Sequence, residues 1–102
     1  VTNQLQAVHG RSGVIMWVGG GAPIKWVTPT RYVQYNKNVK NETKVDMLIE
    51  WFTNEHPINL GMIYFDEPDG FGHTYGPDSP QVTGMIGGLD AVVGYLLKRL
   101  QE

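Results

Sequence analysis

The sequence predicts an α/β fold with a largely parallel sheet, and three observations predict it. Two compact apolar runs, residues 13–18 (GVIMWV) and 58–65 (INLGMIYF), have the length and continuity of strands buried in a parallel sheet. Each is followed by a stretch crowded with Gly and Pro, and then by a segment of helical period. The resulting order, β, loop, α, β, loop, α, is that of a sheet wound with crossover helices, where ligands gather at the carboxyl ends of the strands.

The elements follow in order. After the first strand, Gly19-Gly20-Gly21, Pro23 and Pro29 make a long irregular connection, too rich in breakers for helix or strand. Long connections in compact domains are often functional. From Glu42 the period changes: Val45, Leu48, Ile49 and Phe52 fall at i, i+3, i+4 and i+7, the apolar stripe of a helix of about 11 residues. The second strand runs into residues 66–78 (DEPDGFGHTYGPD), a polar, Gly- and Pro-rich segment that reads as a loop. A second helix then opens with Asp78 or Ser79 as N-cap and Pro80 in the first turn. Val82, Met85, Ile86, Leu89, Val92, Val93, Leu96, Leu97 and Leu100 give it an apolar side, and Lys98 and Arg99 suit its C-terminal dipole. Gly87 and Gly88 each cost this helix about 1 kcal/mol relative to Ala, so a close contact is expected there.

Composition narrows the class. The chain has 102 residues, a formal net charge of −2 and no block of Lys or Arg. Nothing forms the basic stripe that a nucleic-acid polymer requires. No apolar run reaches the roughly 20 residues of a membrane-spanning helix. Cysteine is absent, although complete secreted domains this small are often stapled by disulfides. The start, Val1-Thr2-Asn3-Gln4, carries neither an initiator Met nor a signal peptide. Residues 1–102 are therefore expected to be an incomplete part of one domain, with further strands supplied from elsewhere. Alone, the chain would leave sheet edges open and fold poorly. Cooperative thermal unfolding of the isolated chain at micromolar concentration would contradict that.

The chemistry concentrates in the loop after the second strand. Asp69 and His73 stand four residues apart, and Gly70 and Gly72 allow the chain between them to curl until both face one cation. An oxygen and a nitrogen donor suit Zn²⁺. Such pairs are common in proteins, and a loop that is merely structural stays open as the alternative. Two donors do not close a catalytic zinc site, which uses three protein ligands plus water or substrate, so a third must come from elsewhere. His9 and His56 lie beside turn residues without a carboxylate partner and read as surface or structural histidines.

At this loop the sequence resembles a known family. The stretch EPDGFGHTYGPDSP is similar to the EPDxxGHxxGP motif of the ectonucleotide pyrophosphatase/phosphodiesterases, members of the alkaline phosphatase superfamily. VTNQLQ at the start, SGVIMW at 12–17, YVQYN at 32–36, IEWFT at 49–53 and PINLG at 57–61 resemble the family as well, so the likeness covers essentially the whole chain. The last two look most like the membrane-anchored members four and five.

The resemblance implies an alkaline-phosphatase-like α/β/α sandwich with a two-zinc centre, of which residues 1–102 are a fragment. It implies that Asp69 and His73 bind one zinc, completed by a downstream histidine. The second zinc would be held by an upstream Asp, a nucleophilic Thr and a downstream Asp-His pair, none of which matches a residue here. The implied reaction is hydrolysis of phosphodiester or pyrophosphate bonds of nucleotides through a covalent nucleotidyl-threonine, with zincs about 4 Å apart stabilising the attacking and leaving oxygens. Tyr35, in YVQYN, matches the family tyrosine that sandwiches the nucleobase, and Trp17 matches a tryptophan lining that pocket. Trp17 also has a plainer reading, as core at the end of its strand. Asn41-Glu42-Thr43 is an N-glycosylation sequon ahead of the first helix, plausible on an extracellular, secreted or cell-surface ectodomain. Any membrane anchor would lie outside these residues.

One stretch departs from the family. Its WPGSD-like text is replaced by Trp17-Val18-Gly19-Gly20-Gly21, without the Pro and the acidic residue. The substrate class is left open by this, because some branches of the family cleave lysophospholipids and choline phosphodiesters. An inactive fragment or pseudoenzyme of the same fold, and a non-enzymatic interaction module, are the rival readings.

Overall fold

The computed structural model describes residues 1–102, apart from the side chains of Thr2 and Asn3. Two compact units, Val1–Tyr64 and Phe65–Glu102, are described in turn. The first holds α1 (Thr2–Ala7), β1 (Ser12–Ile15), β2 (Arg31–Val33), α2 (Asn41–Thr53) and β3 (Leu60–Ile63). Its three strands are all parallel, in the order β2-β1-β3, with Val14 facing Tyr32 on one side and Met62 on the other. The predicted parallel sheet is therefore present, with one strand more than expected.

β1 is central and every residue of it is buried. It is shorter than the apolar run that announced it, because Met16 adopts φ 60° and cannot continue a strand. β3 stands at the edge of the described sheet and is half-buried at each position, rather than covered on both faces. β2 and α1 escaped the sequence reading for a shared reason. Three residues and six residues give no period to detect, and α1 has no side-chain cap.

α2 spans the distance from β2 to β3 and lies against β1 and β3. Its expected stripe is present, with Val45, Leu48 and Ile49 buried. Trp51 and Lys44 are buried too. The contact is close because two glycines permit it. A Cβ on Gly13 would sit 2.5 Å from the Trp51 ring, and one on Gly61 would sit 2.5 Å from Leu48 Cδ1. Lys44 retains only 2% of its accessible surface, and its Nζ donates to the Tyr64 carbonyl at 3.2 Å. A buried ammonium needs such partners to offset its lost hydration.

The second unit holds α3 (Asp69–Tyr75) and α4 (Pro80–Gln101), which lie against each other. Ser79 caps α4 as the sequence predicted, its Oγ accepting from Val82 N–H at 3.2 Å. Two expectations need correction. The segment 66–78 is not wholly a loop, since α3 forms inside it. Gly87 and Gly88 mark no close contact: a Cβ on either would meet open space. Nor is the apolar side of α4 uniformly covered. Val82 and Val92 are buried, while Ile86, Val93, Leu97 and Leu100 are exposed.

The helix-to-sheet contact yields a direct test. Gly13→Ala in the full-length protein is expected to lower stability by about 1–3 kcal/mol, the usual penalty of overpacking a filled core. Denaturant unfolding reads this through the midpoint, and an unchanged midpoint would contradict the packing of Trp51 on β1.

Candidate active site

The Asp69–His73 pair is built by a helix. α3 begins right after the cis Glu67–Pro68 peptide, so Asp69 sits in its first turn and His73 one turn later. Residues at i and i+4 of a helix share a face. The convergence that the sequence assigned to a curled loop is produced by one helical turn. His73 Nε2 lies 3.3 Å from Asp69 Oδ1, and both side chains keep 80% of their surface exposed.

This separation permits a test of zinc against the residues. Donors at about 2.0–2.2 Å around a tetrahedral Zn²⁺ stand about 3.4 Å apart. The pair already has that spacing, one oxygen and one nitrogen donor, and no role inside a core. The donor set fits zinc. Among the described residues, no third His, Cys, Asp or Glu gathers with these two. His9 and His56 are exposed and lie in the other unit.

α3 is a poor helix by composition, with Gly70 and Gly72 among its seven residues. Local contacts support it. Glu67 Oε2 accepts from Phe71 N–H at 3.0 Å, and Thr74 Oγ1 donates to the Gly70 carbonyl at 3.1 Å. The Phe71 and Tyr75 rings meet edge to face with centroids 5.4 Å apart. Gly76, at φ 89°, ends the helix in a conformation that suits glycine.

A second cluster belongs to the first unit. Because its strands are parallel, their carboxyl ends lie on one edge of the sheet. Trp17 follows β1, Tyr35 follows β2 and Tyr64 follows β3. Trp17 and Tyr64 meet edge to face, with centroids 6.0 Å apart. Trp17 is 46% exposed and Tyr35 is 50% exposed, so Trp17 is not core at its strand end. The buried Met16 between β1 and Trp17 explains the exposure. Its left-handed backbone, unfavourable for a bulky residue, turns the chain out of the strand, and its N–H donates to the Val33 carbonyl at 2.8 Å. The sequence reading missed Tyr64. Its signal was its place at the end of a strand, hidden because it closed an apolar run.

After Trp17, Gly20 packs against Val14 and Gly21 against the Tyr32 ring. A Cβ on Gly21 would fall 2.5 Å from Tyr32 Cζ, so no larger residue fits over that ring as it stands. Val14, Trp17, Gly20, Ile24, Val27 and Met62 line a cavity of about 130 Å³. Ligand pockets run from roughly 300 to 1,000 Å³, so these mostly aliphatic residues form a small recess beside Trp17 and not an enclosing pocket. Asn41, placed ahead of the helix by the sequence, is the half-buried first residue of α2.

The sequence model of the type I phosphodiesterase / nucleotide pyrophosphatase family matches residues 1–102. Human ectonucleotide pyrophosphatase/phosphodiesterase family member 5 is 44% identical over 102 residues, spanning all of this chain and 21% of that protein. Bis(5'-adenosyl)-triphosphatase enpp4 of Xenopus laevis is 38% identical over 104 residues, spanning all of this chain and 23% of that one. Among solved structures, inactive murine ectonucleotide pyrophosphatase/phosphodiesterase 5 in complex with AMP matches with a TM-score of 0.90 at 43% identity. That match covers 97% of this chain and 26% of the other. The chain thus spans about a quarter or less of the relatives it matches, and its α/β architecture is theirs.

The exposure of Asp69 and His73 makes a prediction that separates ligands from structural residues. Asp69→Ala or His73→Ala should change the stability of the metal-free, full-length protein by less than about 0.5 kcal/mol. A large loss on denaturant titration would assign the pair to holding the fold.

Proposed function

The chain belongs to the type I phosphodiesterase / nucleotide pyrophosphatase family, and from that membership we propose that its parent protein hydrolyses phosphodiester or pyrophosphate bonds of nucleotides at a zinc centre to which Asp69 and His73 contribute. The observation that supports this reading is the 3.3 Å separation of the Asp69 and His73 donors on an exposed helical face. Zinc bound there supplies a Lewis acid and can acidify water to a pKa of about 7.

The residues of this chain divide the work. Asp69 brings negative charge and an oxygen donor, and His73 brings its Nε2 nitrogen. Glu67 and the Phe71–Tyr75 contact hold the turn that sets their spacing. The exposed faces of Trp17 and Tyr35 are suited to stacking on a nucleobase, and Tyr64 holds Trp17 edge-on. The AMP complex of the murine relative and the name of the Xenopus relative support a nucleotide as substrate. In this reading the nucleophilic Thr, the remaining zinc ligands and the rest of the catalytic domain belong to other parts of the parent. The "ecto" in the relatives' names supports an extracellular, secreted or cell-surface ectodomain, with Asn41 as its glycan site.

Hydrolysis of a chromogenic phosphodiester by the full-length protein tests the reading. Turnover should fall to background with a chelator, and His73→Ala should abolish it. Activity indifferent to both would sink the zinc assignment, and inactivity of the untreated protein would favour a pseudoenzyme. Base stacking contributes about 1–3 kcal/mol per base. Tyr35→Ala should therefore raise KM for a dinucleotide about 5- to 150-fold and leave a base-free chromogenic ester unaffected. An equal loss on both substrates would place Tyr35 outside the base site.

A further inference from the structure

We propose that Glu67 is a positioning residue for the metal pair: its carboxylate caps α3 in place of Asp69 and so keeps Asp69 free to ligate. This rests on the zinc reading above and goes beyond it, because it assigns a role to a residue outside the ligand set.

A helix of seven residues is far below the roughly 12–15 at which isolated helices become even marginal in water. Its N-cap position is Pro68, whose side chain carries no acceptor, and no side-chain cap bond forms there. The first-turn N–H groups of a helix need acceptors. Asp69, itself in that turn, is the obvious residue to provide one. Its carboxylate instead faces His73 Nε2 at 3.3 Å.

Glu67 fills the vacancy. Its Oε2 accepts from Phe71 N–H at 3.0 Å, reaching forward past Pro68 and Asp69 to the first turn. The negative carboxylate also suits the positive end of the backbone dipoles. Position 70 leaves the room this requires. A Cβ there would stand 2.9 Å from Glu67 Oε1, so a larger residue would push the carboxylate aside. Glycine at 70 weakens the helix by about 1 kcal/mol relative to Ala, yet it keeps the cap seated. Capping by Glu67 and ligation by Asp69 are thus separated between two carboxylates two residues apart. With one carboxylate serving both roles, a metal would pull the cap away as it bound.

The test measures metal, not turnover. The affinity of the full-length protein for zinc is determined by chelator competition, beside the thermal midpoint of the metal-free protein. Loss of a residue that orients a metal ligand typically costs 10–100-fold in affinity. Glu67→Ala should show that loss, with the metal-free midpoint nearly unchanged. Glu67→Gln, whose amide oxygen can still accept from Phe71 N–H, should stay within about threefold of the natural protein. Gly70→Ala, which obliges the end of the Glu67 side chain to shift, should weaken zinc binding in the same direction by a smaller factor, although alanine is the better helix former. It also keeps the proposal testable should Glu67→Ala fail to fold. Natural affinity in Glu67→Ala or in Gly70→Ala would overturn the proposal, as would equal losses in the Ala and Gln variants. His73→Ala separates the two failures. If it releases one zinc equivalent while Glu67→Ala binds normally, only the role of Glu67 falls. If it releases none, the zinc reading falls and this inference with it.

Discussion

The constraint on which the first unit depends is the burial of β1 between two parallel partners. Ser12–Ile15 pairs with β2 on one side and β3 on the other, and α2 closes over it. A central strand covered this way is closed to water, so its peptides find partners in the ladder or, for Ser12 N–H, in Thr30 Oγ1 at 3.1 Å. Gly13 and Gly61 let α2 approach until Trp51 and Leu48 touch the sheet backbone. Larger residues at those positions would lift the helix, and the carboxyl ends of the strands would lose the fixed platform from which their loops depart.

Parallelism then determines where chemistry can be built. All three strands deliver their following residues to one edge, so Trp17, Tyr35 and Tyr64 arrive there without proximity in sequence. Met16 adds a local device. A left-handed backbone at a buried methionine is unfavourable on its own and persists because the core holds the side chain. Its effect is to expose Trp17, which an uninterrupted strand would direct by simple alternation. Lys44 contributes at the same end, with its ammonium against the Tyr64 carbonyl.

What was legible in the sequence followed from period and punctuation. The stripe of α2, the Ser79 cap and Pro80 start of α4, and the cores of β1 and β3 were readable because each repeats or signals a local rule. β2 was not, because three residues become a strand only through pairing with β1. α3 was hidden because Gly and Pro spell loop, and only the Glu67 bond, the aromatic pair and the neighbouring α4 turn that segment into a helix. Asp69 and His73 were legible as a pair through their spacing, although the conformation assigned to them was wrong. Gly87 and Gly88 misled in the opposite direction. Their low helix propensity implied a contact that is absent, since both face open space within the 22-residue α4.

The distribution of glycine separates two kinds of site in this chain. In α3 the two glycines keep helical backbone, and only Gly70 has a close neighbour, the Glu67 carboxylate, while Gly72 faces open space. In residues 19–21 the glycines lie after Trp17 with no charged partner among them, and the loop stays close over Tyr32. A metal site demands donors held to within tenths of an ångström, whereas a stacking surface tolerates lateral shifts of a flat ring. In the zinc reading proposed above, Asp69 and His73 would therefore have little room to drift. The aromatic side can change its loop and still present a face. On that proposal the Gly19–Gly21 loop, rather than the turn that carries Asp69 and His73, is where substitutions would leave the chemistry in place.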